Sequence, residues 1–560
     1  MLDCVAMRLI PLRLWAMAML SGLLQILPFP IAGPVPIWRT GLCWIALAPL
    51  LKSLISSNAT GKPVGVLQGA MLGYASGVVW YLGNCYWIYP TMHAYGGIAK
   101  PVAAGILLLF CLYLGLYHAL FGGLVAAFRR TGRLGVQGAL LLSPFAWVAV
   151  ELARARITSL PWDLLGIAQV DNPLLIRLAP FTGAYGISFV IAAVNALWLM
   201  RFTLKERRYT RPIITAAGVG VILLYVVFLR HMRGLGREGT QAVATLVQEN
   251  IEVGAANSGP QLTEEEKLKA YSDLSLYPGM NYCVGIPELP STRCMQVVPV
   301  VRETENGSRS PARTDLIVWP EAPNDFFESD PRLRTAMSEL AREANAPIIV
   351  GDIGIDSDRT VKRGYDQYNS ANFIEPDGSF AGRYDKMHLV PFGEYTPYKR
   401  IFFFAGSLLQ DVGLFDPGRR RRVFATGGHT YGTFICYESI FGDEVREYAD
   451  LGADVLVNLS DDGWYGDTSA AWEHLNMVRM RAIENHRWVL RATNTGVTAA
   501  IDPQGRVTMA AKRHVMTSIR VGFNYERDVT FYAKYGDWFA YSCAVVTAAV
   551  VVFGRRKRAR

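Results

Sequence analysis

Tyr431-Gly432-Thr433-Phe434-Ile435-Cys436-Tyr437-Glu438-Ser439 begins as a short apolar strand and ends in a thiol, an aromatic ring and an acid. β-branched and aromatic residues favour the extended chain. A strand that closes on Cys436 at a sharp turn into a helix presents the sulfur as a nucleophile. Two other segments end in the same manner. Leu316-Ile317-Val318-Trp319-Pro320 delivers Glu321, and Gly382-Arg383-Tyr384-Asp385 delivers Lys386, followed by Met387-His388-Leu389 and by Pro391-Phe392-Gly393-Glu394-Tyr395. A free thiol is only a few per cent ionised near neutrality, so a base and a cation are the partners it needs. Taken singly, Cys436 reads as a structural cysteine, Glu321 as a turn or cap residue and Lys386 as a solvated charge. Three such strand ends in one domain favour chemistry.

Around these segments, from Thr240 onward, β-rich runs alternate with amphipathic stretches, which predicts an α/β domain. Expected strands are 242–248, 315–319, 347–351, 432–436, 454–458 and 488–492; expected helices are 263–274, 331–343, 443–450 and 470–485. The stretch 277–314, rich in Pro, Ser, Gly and Arg, reads as a long insertion or mobile loop.

The flanks are different in kind. With 560 residues, 51% of them hydrophobic, the chain exceeds one ordinary domain and implies a membrane portion. Apolar spans are expected near 10–28, 40–57, 64–88, 101–128, 136–152, 182–200, 213–230 and 536–554, about eight in all. The second and fifth are short, and the fifth carries Pro144 and Glu151, so it fits a re-entrant or buried helix as well as a crossing. Arg8 and Arg13 before the first span suggest a signal peptide, but no small-x-small cleavage motif follows, which favours an uncleaved span. The expected domains are 1–235, with seven transmembrane helices; 236–530, the catalytic domain; and 531–560, a last transmembrane helix with a basic tail.

The net charge of +9 does not indicate a nucleic-acid partner, because the basic residues gather at the ends of apolar segments. Lys52, Lys62, the Arg129-Arg130-Arg133 group, the stretch 201–211 and the tail 555–560 make alternate loops basic, which puts both termini in the cytoplasm and the catalytic domain outside. That domain holds Cys283, Cys294 and Cys436; a bond between the first two would leave Cys436 free, and the sequence leaves this open. His388 and His474 stand outside any clustered metal-ligand spacing, so no metal and no cofactor are expected.

Trp319-Pro320-Glu321, the Lys386 motif and Cys436-Tyr437-Glu438 together resemble the nitrilase, or carbon-nitrogen hydrolase, superfamily. With the apolar spans, with Pro391-Phe392-Gly393-Glu394-Tyr395-Thr396-Pro397 and with the runs 480–484 and 491–500, the layout is similar to its membrane-bound branch, the bacterial apolipoprotein N-acyltransferases. The resemblance implies a multi-span α-helical membrane domain joined to a nitrilase-like αββα sandwich in the periplasm of an inner-membrane protein. It implies Cys436 as nucleophile, Glu321 as acid/base and Lys386 as oxyanion partner, with Glu394 and Glu438 supporting them and Tyr437 shaping the acyl entrance. The implied donor is a membrane phospholipid and the implied acceptor a diacylglyceryl-modified apolipoprotein. Phe402, Phe403 and Phe404 in the apolar run 401–409 read as a lid dipping into lipid. Gln248-Glu249-Asn250-Ile251-Glu252 departs from the family pattern in lacking the following Pro and Trp. Two other functions fit parts of the chain: a membrane-tethered amidase or nitrilase using the same trio on a small substrate, and a noncatalytic lipid-binding protein on a retained scaffold.

Overall fold

The computed structural model describes residues 10–130, 135–203, 240–253, 262–289, 291–297, 311–321, 326–357, 364–395 and 415–556. The chain divides into two compact units, one made of 1–89, 101–238 and 535–560, the other of 90–100 and 239–534.

The first unit is helical. Its main helices are α1 (Leu12–Ile26), α2 (Val66–Asn84), α3 (Lys100–Arg129), α4 (Gly135–Ile157) and α5 (Ala184–Thr203), with a C-terminal helix over Trp538–Arg556. Among the described residues three helices are long and apolar enough to cross a membrane, namely Lys100–Arg129, Gly135–Ile157 and Ala184–Phe202, and Leu12–Ile26 and Trp538–Gly554 are shorter apolar helices. The expected second span, 40–57, is instead broken into Ile37–Thr40, Cys43–Ala46 and Ala48–Leu54. Pro49 fits the last break, since its ring suits the first turn of a helix and costs a hydrogen bond in the interior. The fifth span is one continuous helix despite Pro144, and its Glu151 accepts a hydrogen bond from the Leu165 N–H at 2.7 Å. The seventh, 213–230, lies outside the described residues. Gly73 of α2 faces the His118 carbonyl of α3, where an added Cβ would collide with backbone, so small residues let the two helices touch.

The second unit is a sandwich of two sheets. In the six-stranded sheet are β1 (Ala242–Gln248), β4 (Leu316–Val318), β5 (Ile348–Ser357), β6 (Tyr365–Ile374), β7 (Phe380–Asp385) and β14 (Thr517–Phe523), in the order β14-β1-β4-β5-β6-β7. The other sheet holds β2 (Met280–Val284), β3 (Arg293–Val297), β8 (Val423–Thr426), β9 (His429–Ile435), β10 (Val455–Ser460), β11 (Val489–Thr493), β12 (Ala499–Ile501) and β13 (Val507–Ala511), in the order β3-β2-β13-β12-β11-β10-β9-β8. Alternation assigns each face of the first sheet. Leu316, Val318, Ile349, Ala371 and Phe373 point to the core shared with Phe434, Leu456 and Leu490 of the second sheet. Their neighbours Ile317, Trp319, Ile348 and Val350 pack under helices α6 (Glu264–Leu276) and α7 (Pro331–Ala344). The parallel strands β9, β10 and β11 are covered as well, by α8 (Gly442–Asp450) and α9 (Ala470–Asn485), and β10 is buried at every residue.

Two expectations change here. The stretch 277–314 is not all loop, because β2 and β3 form a hairpin on the edge of the second sheet, closed by a Cys283–Cys294 disulfide. The strand expected to include Cys436 stops at Ile435, because Cys436 takes the left-handed conformation with φ +46°.

Candidate active site

Parallel strands β4, β9 and β10, with β7, bring their carboxyl ends to the residues singled out above. This is where side chains of an open α/β arrangement meet a ligand. Glu321 stands three residues beyond β4, Lys386 directly follows β7, and Cys436 directly follows β9 as the first residue of a 3₁₀ turn over Cys436–Ile440. A non-glycine residue at φ +46° is uncommon, and strain of this sort is held in place only by surrounding structure.

That structure is a closed set of polar contacts. Lys386 Nζ lies 2.9 Å from Glu321 Oε1 and 2.9 Å from Glu394 Oε1. Asn369 Nδ2 donates to the same two oxygens, each at 2.7 Å. The outer oxygens are held by backbone: the Asp461 N–H donates to Glu321 Oε2 at 2.8 Å and the Val390 N–H to Glu394 Oε2 at 2.7 Å. Glu438 ties this group to the nucleophile. One of its oxygens accepts from Tyr384 Oη and from the Met387 N–H, both at 2.7 Å, and the other from the Ile435 N–H at 2.7 Å. One carboxyl group thereby joins the residue before Cys436 to the residue after Lys386.

Burial and neighbouring charges together set the charge states. Lys386 is 1% exposed, which by itself depresses an ammonium, yet the Glu321 and Glu394 carboxylates outweigh this and hold it well above its usual value. Burial and the Glu321 carboxylate push the Cys436 thiol well up, against the opposing pull of Lys386. The sulfur therefore rests as a thiol and must give its proton away as it attacks.

A second buried network lies under the turn. Asp462 pairs with Arg491 at 2.6 Å and with His474 Nδ1 at 2.9 Å, and His474 Nε2 lies 3.1 Å from the Cys436 carbonyl oxygen. Burial would raise Asp462, but Arg491 and His474 hold it well below the usual carboxylate range. His474 thus supports the backbone of the turn. His388 lies against Phe441, with its ring 3.8 Å away, and 3.1 Å from Glu444. Tyr437 is buried beside both rings. Phe402, Phe403 and Phe404 lie outside the described residues. Among the described residues, His486, Glu526 and Asp528 bring possible metal-ligating atoms within 4.8 Å of one another; none of the three takes part in the contacts above.

The sequence reading missed Asn369. It sits inside β6, a strand that was not expected, where Tyr368-Asn369-Ser370 offers no local apolar pattern to mark it. Asp461 follows β10 directly, beside the Glu321 carboxylate that its backbone N–H holds. Burial and the neighbouring Glu321 carboxylate push it up to about 7. A carboxyl group raised on folding costs stability once the pH passes its unfolded value of ~3.9, and the cost is complete above the folded value. Asp461→Asn keeps an acceptor for the Gly463 N–H. It is expected to raise Tm by a few degrees at about pH 8 and by progressively less toward about pH 4. An equal gain at both ends of a thermal-melting series would remove charge from the explanation.

A family model described as carbon-nitrogen hydrolase matches residues 288–520, and one described as apolipoprotein N-acyltransferase N-terminal domain matches residues 21–197. Among solved structures, a branch 10 member of the nitrilase superfamily from Saccharomyces cerevisiae is 15% identical, with a TM-score of 0.35 over 51% of this chain and 91% of that one. An apolipoprotein N-acyltransferase of Methylococcus capsulatus is 29% identical over 97% of this chain and 96% of its own. One from Geobacter metallireducens is 32% identical over 98% of this chain and 96% of its own. Likeness that runs through the helical unit and the sandwich alike leaves one placement: the chain belongs to the apolipoprotein N-acyltransferase family.

Proposed function

We propose that the protein moves an acyl chain from a membrane phospholipid, through a thioester on Cys436, to the α-amino group of the N-terminal diacylglyceryl-cysteine of lipoproteins. In the first step Cys436 Sγ attacks the ester carbonyl as Glu321 takes the thiol proton. Lys386, aided by a backbone N–H of the 3₁₀ turn, opposes the charge on the tetrahedral oxygen. Collapse breaks the ester C–O bond, and the proton on Glu321 passes to the departing lysophospholipid alkoxide. In the second step the acceptor amine attacks the thioester, Glu321 takes its proton, and that proton returns to the sulfur as the C–S bond breaks. Glu394 and Asn369 position Lys386 and Glu321, and Glu438 and His474 position the turn. Tyr437 borders the acyl entrance, and Phe402, Phe403 and Phe404 serve as a lid.

The observation that carries this reading is the buried contact of Lys386 with Glu321 and Glu394, each at 2.9 Å, joined through Glu438 to the strand end that presents Cys436. The same trio suits an amidase, but the full-length likeness to named apolipoprotein N-acyltransferases favours transfer. The apolar helices support residues 1–235 as a membrane domain and 531–560 as a further membrane segment with a cytoplasmic tail, and the alternation of basic loops supports 236–530 as a catalytic domain on the periplasmic side of the inner membrane. The expected result with purified protein, phospholipid and a diacylglyceryl-cysteine lipopeptide is N-acylated peptide by mass spectrometry, with one lysophospholipid per product. Hydrolysis of small amides without transfer to the lipopeptide would sink the proposal.

A further inference from the structure

The sandwich carries a cavity of about 680 Å³ that none of Glu321, Lys386 or Cys436 lines. It lies where β5 ends, β6 begins and β7 ends, and its fourth side is the run Arg419-Arg420-Arg421-Arg422 before β8. Such a run ordinarily reads as a solvated stretch. Here its approach is fixed by backbone contacts: the Asp416 N–H donates to the Gln367 carbonyl at 2.7 Å, the Gln367 N–H donates to Asp416 Oδ2 at 3.1 Å, and the Gly418 N–H donates to the Lys386 carbonyl at 2.8 Å.

The four guanidinium groups then part company. Arg421 turns away to Glu447 at 2.6 Å and Glu444 at 3.2 Å. Arg419, Arg420 and Arg422 line the cavity, and among the described residues none of them has an ion pair or hydrogen bond. Four guanidinium groups, Arg383 with these three, face the three carboxylates of Asp356, Asp366 and Asp385, which leaves a single positive charge in excess. Asp356 and Asp385 are held by Arg383 at 2.9 and 2.7 Å, and Asp366 accepts from Tyr368 Oη at 3.4 Å. Arg419 and Arg420 are exposed and Arg422 is half-buried, and an anion in the cavity would relieve the repulsion among the three. The planar guanidinium fork is suited to the paired oxygens of a phosphate group. The cavity is also larger than one phosphate requires and falls in the size range of small-molecule sites.

We infer that this cavity binds a phosphate-bearing anion through Arg419, Arg420 and Arg422, at a site separate from the acyl-transfer centre. The proposal goes beyond the acyl-transfer reading and stands or falls apart from it. Two sources share the chemistry, a lipid headgroup and free phosphate.

The test uses the full chain in neutral detergent. Phenylglyoxal modification of the three arginines is followed by mass spectrometry with inorganic phosphate, with dihexanoyl phosphatidylglycerol, or with chloride at matched ionic strength. Slower modification with either phosphate probe but not with chloride is expected. Protection by both probes identifies a general phosphate site, and protection by the lipid alone identifies a headgroup site. Equal rates under all three conditions would overturn the inference. The variant Arg419→Gln/Arg420→Gln/Arg422→Gln, checked for an unchanged Tm, should bind the protecting probe at least about tenfold more weakly. Unchanged affinity in that variant would equally overturn it.

Discussion

Cys436→Ala is expected to lose N-acylated product by more than about 10⁴-fold and to yield no acyl-enzyme by intact-mass measurement, with Tm close to that of the parent. The magnitude follows from what the sulfur does. Without a nucleophile on the protein, acyl transfer must pass directly from ester to amine between two lipid-anchored molecules, and no covalent intermediate divides that barrier. The fold has little reason to suffer, since the change removes one atom and Glu438 still holds the Ile435 N–H. Because burial keeps the thiol protonated at rest, the residue that accepts the proton should matter almost as much. Glu321→Gln, which preserves the shape and the acceptor for Asn369, is expected to approach the same loss. An acyl-enzyme that still forms at the parental rate in Glu321→Gln would remove that residue from the proton's path.

Lys386→Met should damage both activity and cohesion. The ammonium is enclosed by two carboxylates at 2.9 Å, and deleting it leaves Glu321 and Glu394 facing each other in a buried site. Breaking a buried ion pair from one side costs about 3–5 kcal/mol, and losing an oxyanion partner lowers turnover by about 10²–10³ or more. The expected outcome is a clear fall in Tm together with at least a thousandfold loss of transfer. Lys386→Arg separates the two effects. It restores charge, and with it much of the Tm, but its planar fork cannot reproduce a point contact shared by two carboxylates, so activity should stay low. Recovery of activity along with Tm in the arginine variant would show that charge alone is required at this position.

The trio was readable because each member closes a strand in a distinctive local setting: Glu321 after Trp319-Pro320, Lys386 after Tyr384-Asp385, Cys436 before Tyr437-Glu438. Helix α9 was readable over its whole length, 470–485, from continuous apolar periodicity. Local sequence does not carry what depends on pairing between distant segments. Strand β6 opens Tyr365-Asp366-Gln367-Tyr368-Asn369, a polar run with no apolar alternation, and is a strand because ten residues of β5 pair with it; Asn369 was hidden with it. The β2–β3 hairpin was masked by its Pro- and Ser-rich surroundings, although Cys283 and Cys294 sit directly opposite each other in its register. In the helical unit, apolar composition predicted a span over 40–57 that is broken near Pro49.

Glu438 accepts hydrogen bonds from groups that belong to different sheets: the Ile435 N–H of β9, and Tyr384 Oη with the Met387 N–H at the end of β7. The sandwich has no covalent fastener between those two strands, so this carboxyl group acts as a dowel set through both plates at the point where the chemistry is mounted. A slip of one plate along the other shows up first as a change in the gap between sulfur and ammonium. The alignment of sulfur and ammonium therefore rests on how firmly this one carboxyl group holds the two strand ends together.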